Sequence, residues 1–286
     1  MNMKTKWKVI ITIGAFVLFI IGTIGIVFFF AAIVSSDFSP IGNKISVIPI
    51  KGEITMEGCS GGLFGIPQCT NVKRLKDIIK REDNDPMVKA IVLDINSGGG
   101  SVVASRELMQ AVKNCKKPVV AWIGETGASG AYYVASGSDE IIADENSITG
   151  SIGVIMTIQH YYELYSKIGI NVTVIKSGKV KDIGSPYREM TQEEKDELKG
   201  IVDKVYDSFI SDVAENRNLP VEYVRNISDG SIYLGGDAKD LGLVDDVGGI
   251  DKAIEVAKEL SGIEGEARVE VVEEERPLTL WDLLSG

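Results

Sequence analysis

Residues 9–34, VIITIGAFVLFIIGTIGIVFFFAAIV, hold no charged side chain and nothing more polar than two threonines. Twenty-six helical residues rise about 39 Å, enough to cross a bilayer core of about 30 Å with some tilt. A cleaved signal peptide has an apolar region of roughly 7 to 15 residues and a small-x-small cleavage site. The length therefore favours an uncleaved signal anchor, one transmembrane helix over 9–34. Lys4, Lys6 and Lys8 precede the run and Asp37 is the first charge after it. The positive-inside rule then places residues 1–8 in the cytoplasm and residues 35–286 outside it, a single-pass protein of the cell membrane. Setting those three lysines aside takes the net charge from −11 to −14. So acidic an outer portion is a poor match for nucleic acid or for anionic headgroups, which leaves the helix as the attachment to the lipid bilayer. One histidine and three cysteines in 286 residues also leave too few ligands for most zinc sites, and no cofactor or metal is expected.

Outside the cytoplasm disulfides persist, and Cys59 and Cys69 flank the glycine-rich stretch GCSGGLFGIPQCT. A bridge between them is expected, against the alternative of two free thiols. Cys115, at the end of an amphipathic pattern, reads as core packing. Strand patterns fall at 45–50 (ISVIPI), 90–95, 119–123, 140–143 and 172–176. Helical patterns lie between them at 72–82, 102–114, 130–136 and 161–168. This alternation predicts a mostly parallel sheet with crossover helices, an α/β fold. A longer amphipathic helix is predicted over 192–216, opening on Thr191 and acidic residues. A small α/β tail follows, with a helix at 250–260 and a last strand at 267–272. No repeat or linker divides 35–286, which reads as one domain.

Asn96–Ser101, NSGGGS, follows a buried strand and leads into a helix. Such glycines can turn backbone N–H groups toward one point and form an oxyanion pocket, or simply make a tight turn. No Walker lysine follows them, which argues against a phosphate cradle. Gly127–Tyr133, GASGAYY, also follows a strand. There Ser129 is open to substrate and the Gly130 amide is free to hold an oxyanion; the competing reading is a serine N-cap. A nucleophilic serine needs a base. The single histidine, His160, lies in the aromatic context TIQHYYELY and reads as a half-buried structural imidazole. Lysine is the other base for such sites, provided burial lowers its pKa from about 10.4. Lys176, Lys179 and Lys181 all fall near SGKVKDIGSP, and spacing does not choose among them.

The anchor, NSGGGS, GASGAYY, TGSIGV at 149–154 and SGKVKDIGSPYREMT, in that order, resemble the signal peptide peptidase A family in its half-length form, over about residues 45–249. The resemblance implies a crotonase/Clp-like fold and a serine-lysine dyad that hydrolyses released signal peptides and similar apolar peptides. It implies Ser129 as nucleophile, Lys181 as general base and Ser151 as the hydroxyl that orients the lysine. The Gly130 and Gly100 backbone amides would be the oxyanion donors. It further implies a homo-oligomer whose sites are shared between protomers. Gly98 stands where the family carries proline, which removes a fixed φ but leaves the donating amides. Two rivals are an acyl-CoA enzyme of the same fold, disfavoured by the extracytoplasmic placement, and a catalytically silent scaffold, disfavoured by the presence of both dyad residues. The acidic pairs Asp139/Glu140, Asp144/Glu145 and Asp245/Asp246 and the run Glu273–Glu275 read as solvated edges.

Overall fold

A computed structural model describes residues 20–24, 26, 43–59 and 69–272. The chain divides into two compact units, residues 1–43 and 44–286. In the first, residues 20–24 are helical, and the Thr23 hydroxyl donates to the Ile20 carbonyl at 2.9 Å. Most of the 9–34 run lies outside the described residues, as does Glu273–Glu275. Among the described residues no helix is long and apolar enough to cross a membrane.

The second unit is a mixed α/β fold built on a mostly parallel sheet. Strands β1 (Lys44–Lys51), β4 (Val88–Ser97), β5 (Val119–Ala128) and β6 (Glu140–Ala143) form its centre. Strand β10 (Arg268–Val271) lies outside β1, and β9 (Asp246–Val247) outside β6, all in parallel pairing. Parallel neighbours need crossovers. Helices α1 (Val72–Asn84), α2 (Val102–Lys113) and α3 (Gly130–Ser136) supply them and pack on one face. The strands are apolar on both sides because both faces are covered. On β4, Ile91, Leu93 and Ile95 join the large core with Leu75, Leu108 and Tyr132, while Ala90 and Val92 face the other way. That second face is closed by α8 (Ile250–Ser261), through Ala253 and Ala257. Small residues at this four-residue spacing let the helix lie close to the sheet.

Short elements bring polar chain to the ends of the central strands. Strands β2 (Glu53–Thr55) and β3 (Cys69–Asn71) pair in parallel as a separate ribbon. Strand β7 (Ile148–Gly150) runs beside the end of β5 and pairs on its other edge, antiparallel, with β8 (Ile232–Leu234). Helix α5 (Gln192–Asn216) starts in a capping box: Thr191 Oγ1 accepts from the Glu194 amide, and the Glu194 carboxylate accepts from the Thr191 amide. Helices α4 (Tyr162–Lys167), α6 (Val221–Asn226) and α7 (Gly235–Asp240) complete the described elements of this unit.

Three expectations are corrected. Residues 172–176 form no strand: Val172, Val174 and Ile175 are exposed, Ile175 to 95%, and no neighbouring strand offers them a ladder. β-branched residues favour extended chain, but a strand exists only when paired. His160 is exposed rather than half-buried, its ring meeting that of Tyr162 edge to face with centroids 6.2 Å apart. Of the acidic pairs, Asp144/Glu145 is exposed as expected, but Asp139/Glu140 and Asp245/Asp246 are more than solvated groups. Asp139 and Asp245 accept from the Val119 and Ile141 amides, and Asp245 pairs with the buried Arg217. Burial and the Asp245 charge together push the Glu140 carboxyl above its usual range.

Candidate active site

Strand β5 runs straight into α3 through one residue, Ser129. Its φ of 52° and ψ of −122° lie in a region that side chains rarely occupy. Two hydrogen bonds hold it there. The Ser129 amide donates to the Gly150 carbonyl at 2.8 Å, and its carbonyl accepts from the Tyr133 amide at 2.9 Å, opening the helix. Thr149 Oγ1 secures the same seam by donating to the Gly127 carbonyl at 2.8 Å. The small neighbours are required by packing. A Cβ at Gly127 would lie 2.7 Å from the Ile123 side chain, and one at Gly130 would collide with Ser105 Oγ. That hydroxyl is itself buried and without a partner.

The end of β4 meets this turn. Ser97 Oγ donates to the Gly52 carbonyl at 2.5 Å and accepts from the Gly99 amide at 3.1 Å. Ile54 on β2 then clasps the glycines from outside: its amide donates to the Gly99 carbonyl, and its carbonyl accepts from the Ser101 amide, both at 2.9 Å. Gly99, at φ +99°, abuts α3 so closely that a Cβ would lie 2.6 Å from the Gly130 nitrogen. A Cβ on Gly100 would strike the Ile54 carbonyl. The Gly100 nitrogen, in turn, lies 3.1 Å from the point a Gly130 Cβ would occupy. Two amides without partners among the described residues thus share one rim, the Gly130 amide at the start of a helix where no intrahelical acceptor exists. Gly98 has nothing within 4 Å of its would-be Cβ.

Ser129, Gly100 and Gly130 open into a cavity of about 760 Å³ that Ser151 also lines. Ser151 is a second non-glycine residue at positive φ, 50°, pinned by its amide to the Ser231 carbonyl at 2.7 Å. The walls are largely apolar, made by Val102, Val154, Val205 and Phe209. Tyr133 stacks on Phe209 with ring centroids 4.3 Å apart, and its hydroxyl donates to Asp212, which also holds Arg106 at 3.3 Å. Burial raises the Tyr133 phenol and keeps it protonated. Phe209 was visible in the sequence only as part of the α5 apolar stripe. The Tyr133–Asp212–Arg106 network left no local signal.

Lys181 lies elsewhere. It sits exposed in a turn between α4 and α5, lines no part of the cavity, and its amine has no ion-pair or hydrogen-bond partner among the described residues. Its neighbours are engaged: Lys176 pairs with Asp182, and Lys179 with Glu193 at 2.7 Å. One chain therefore brings together Ser129, Ser151, Gly100 and Gly130 and leaves Lys181 outside. Cys59 and Cys69 are joined as a disulfide with Cα atoms 5.7 Å apart, Cys69 being the first residue of β3 in the β2–β3 ribbon that clasps the glycine turn. Cys115 is partly buried against the core, and burial pushes its thiol up to about 12.

The family model for peptidase family S49 matches residues 111–264. A protein of Methanocaldococcus jannaschii named as a protease is 42% identical over 231 residues, covering 80% of this chain and 74% of that protein. An Enterococcus faecium protein named as signal peptide peptidase SppA is 36% identical over 218 residues, or 75% of this chain and 63% of the other. The solved 1510-N membrane-bound stomatin-specific protease superposes with a TM-score of 0.51 at 15% identity, over 82% of this chain and 99% of that one, which shows a shared fold. The chain belongs to peptidase family S49, the signal peptide peptidase A family, and is a serine protease.

Proposed function

We propose that the chain is a membrane-anchored serine endopeptidase that hydrolyses apolar peptides such as released signal peptides, with Ser129 as nucleophile and Lys181 as general base. The observation that carries this reading is Ser129 itself, held at positive φ on a strand-to-helix turn, at the mouth of an apolar cavity and beside two free amides. In the proposed reaction Lys181 Nζ, as the free amine, takes the Ser129 proton while Oγ attacks the scissile carbonyl. The oxyanion forms against the Gly100 and Gly130 amides. Lys181 then returns the proton to the leaving amine, and water releases the acyl group by the same route. Ser151 orients the lysine. Because Lys181 is exposed and outside its own chain's cavity, the base is proposed to come from a neighbouring protomer in a homo-oligomer. The residue 9–34 run supplies the anchor, with the peptidase unit on the extracytoplasmic side. The names of similar proteins, a signal peptide peptidase SppA and a membrane-bound protease, support the substrate class and the membrane setting.

The test is to purify the full chain, Ser129→Ala and Lys181→Ala, and to follow apolar peptides by mass. Each variant alone should be inactive. Mixing them under subunit exchange should restore part of the activity, because one intact serine then meets one intact lysine. A folded, assembled wild type that cleaves nothing would hand the function to the scaffold reading.

A further inference from the structure

Between the Lys181 turn and the start of α5, the charged side chains form one network. The Arg188 guanidinium donates to both Asp182 oxygens, from Nε at 2.9 Å and from Nη2 at 2.8 Å. On its other side it donates to both Glu194 oxygens, from Nη1 at 2.8 Å and from Nη2 at 2.5 Å. Lys176 completes the network on Asp182. Asp182 and Glu194 side chains are only 11% and 7% exposed, although the surrounding turn is open to solvent. Planar, two-ended gripping of this kind is specific to arginine.

Asp182 is covalently next to Lys181. A carboxylate in that place is a natural partner for the amine, and an ammonium held by a carboxylate cannot take a proton from serine. Yet Lys181 has no ion pair among the described residues, and Asp182 is engaged by Arg188 and Lys176. The other charges about the turn are Lys179 and Glu189 on the same segment and Glu193 and Glu197 on α5, of which Glu193 is taken by Lys179. In a shared site the neighbouring cavity would add Arg106, Glu107, Lys204 and Asp229. We infer that Arg188 is a positioning residue for the reaction: gripping Asp182 and Glu194 together, it keeps the adjacent carboxylate off the Lys181 amine and ties the turn that presents the amine to the start of α5.

This inference rests on the proposed serine-lysine chemistry, and its test separates the two. The full chain in detergent is assayed on an apolar peptide, and kcat/KM is followed against pH. Arg188→Gln leaves Asp182 held by Lys176 alone, with an oxygen open to Lys181, so the acid limb should move up by about one pH unit. Arg188→Lys keeps a charge without the fork and should move it less. Adding Asp182→Asn to Arg188→Gln should return the limb to its wild-type position, a rescue that a merely structural arginine would not show. Asp182→Asn alone, which needs no change at Arg188, should leave the limb at or below the wild-type position. An upward shift in Asp182→Asn, or an Arg188→Gln enzyme that loses activity equally at every pH, would overturn the inference. If Ser129→Ala or Lys181→Ala retains wild-type activity, the underlying chemistry has failed instead.

Discussion

Ser129 and Ser151 are held at positive φ without being glycine, and both face the same cavity. Conformations of this kind cost about 1–3 kcal/mol each and persist where surrounding structure enforces them, here through the hydrogen bonds their amides donate to the Gly150 and Ser231 carbonyls. The glycines beside them are not equivalent. Gly99 combines φ +99° with backbone against its would-be Cβ, so Gly99→Ala must push the glycine turn away from α3. The Gly100 and Gly130 amides would then no longer converge, and kcat should fall about 100-fold, the cost of one lost oxyanion donor. Gly98 has open space and no positive φ. Gly98→Ala should therefore keep activity and stabilise the fold by about 0.4–1 kcal/mol, through the entropy of the unfolded chain. Thermal denaturation and steady-state kinetics on the two variants separate these effects. Equal activity losses at 98 and 99 would mean that the turn is not the rigid part it appears in the hydrogen-bond pattern.

At the scale of elements, the start of α5 is an electrostatic joint. Arg188 and the Thr191 amide lower the Glu194 carboxyl from 4.5 to about 2. A carboxylate with a depressed folded-state pKa adds stability above its unfolded pKa and loses it as pH falls through the folded value. The contribution of Glu194 should thus be whole above pH 4.5 and fade toward about pH 2. Melting curves should show Glu194→Gln below wild type at neutral pH, with the gap closing across that window; a constant gap would point to lost packing alone. This joint was half legible. Thr191 with acidic residues after it announces a helix start, but nothing local ties Arg188 to both ends of the segment. The same division runs through the sheet. Residues 90–95, 119–123 and 140–143 read as strands because both faces are buried in apolar runs. The extension of β5 to Ala128 was invisible, since its pairing with β7 joins polar chain over a distance. Within the site, both glycine-serine turns could be read locally. Tyr133 and Asp212 meet across 79 residues of sequence, so their contact is a product of the fold alone.

At the scale of the molecule, the segment between β7 and α5 is the part that one chain leaves unfinished. Ile155 and Ile175 are 90% and 95% exposed, and Leu164, Ile168 and Tyr187 are also turned outward. Apolar surface concentrated in this way marks a contact surface rather than a resting one. Residues 172–176 have strand-forming side chains and no strand partner among the described residues, which fits the proposed assembly if their neighbours belong to another protomer. Lys181 rides on the same segment, so in the proposed assembly covering the apolar surface and delivering the proposed base would be one event. If the proposed homo-oligomer forms, Ile175→Asp together with Leu164→Asp should dissociate it, because two carboxylates would be buried without partners on assembly. Activity should fall with assembly although Ser129 and Lys181 are untouched. Sedimentation and peptide cleavage measured on the same samples test this directly. At protein concentrations high enough to force reassociation, activity should return in proportion to the assembled fraction. An active monomer would show instead that Lys181 reaches Ser129 within its own chain, by a rearrangement of the whole segment from residue 155 to residue 187.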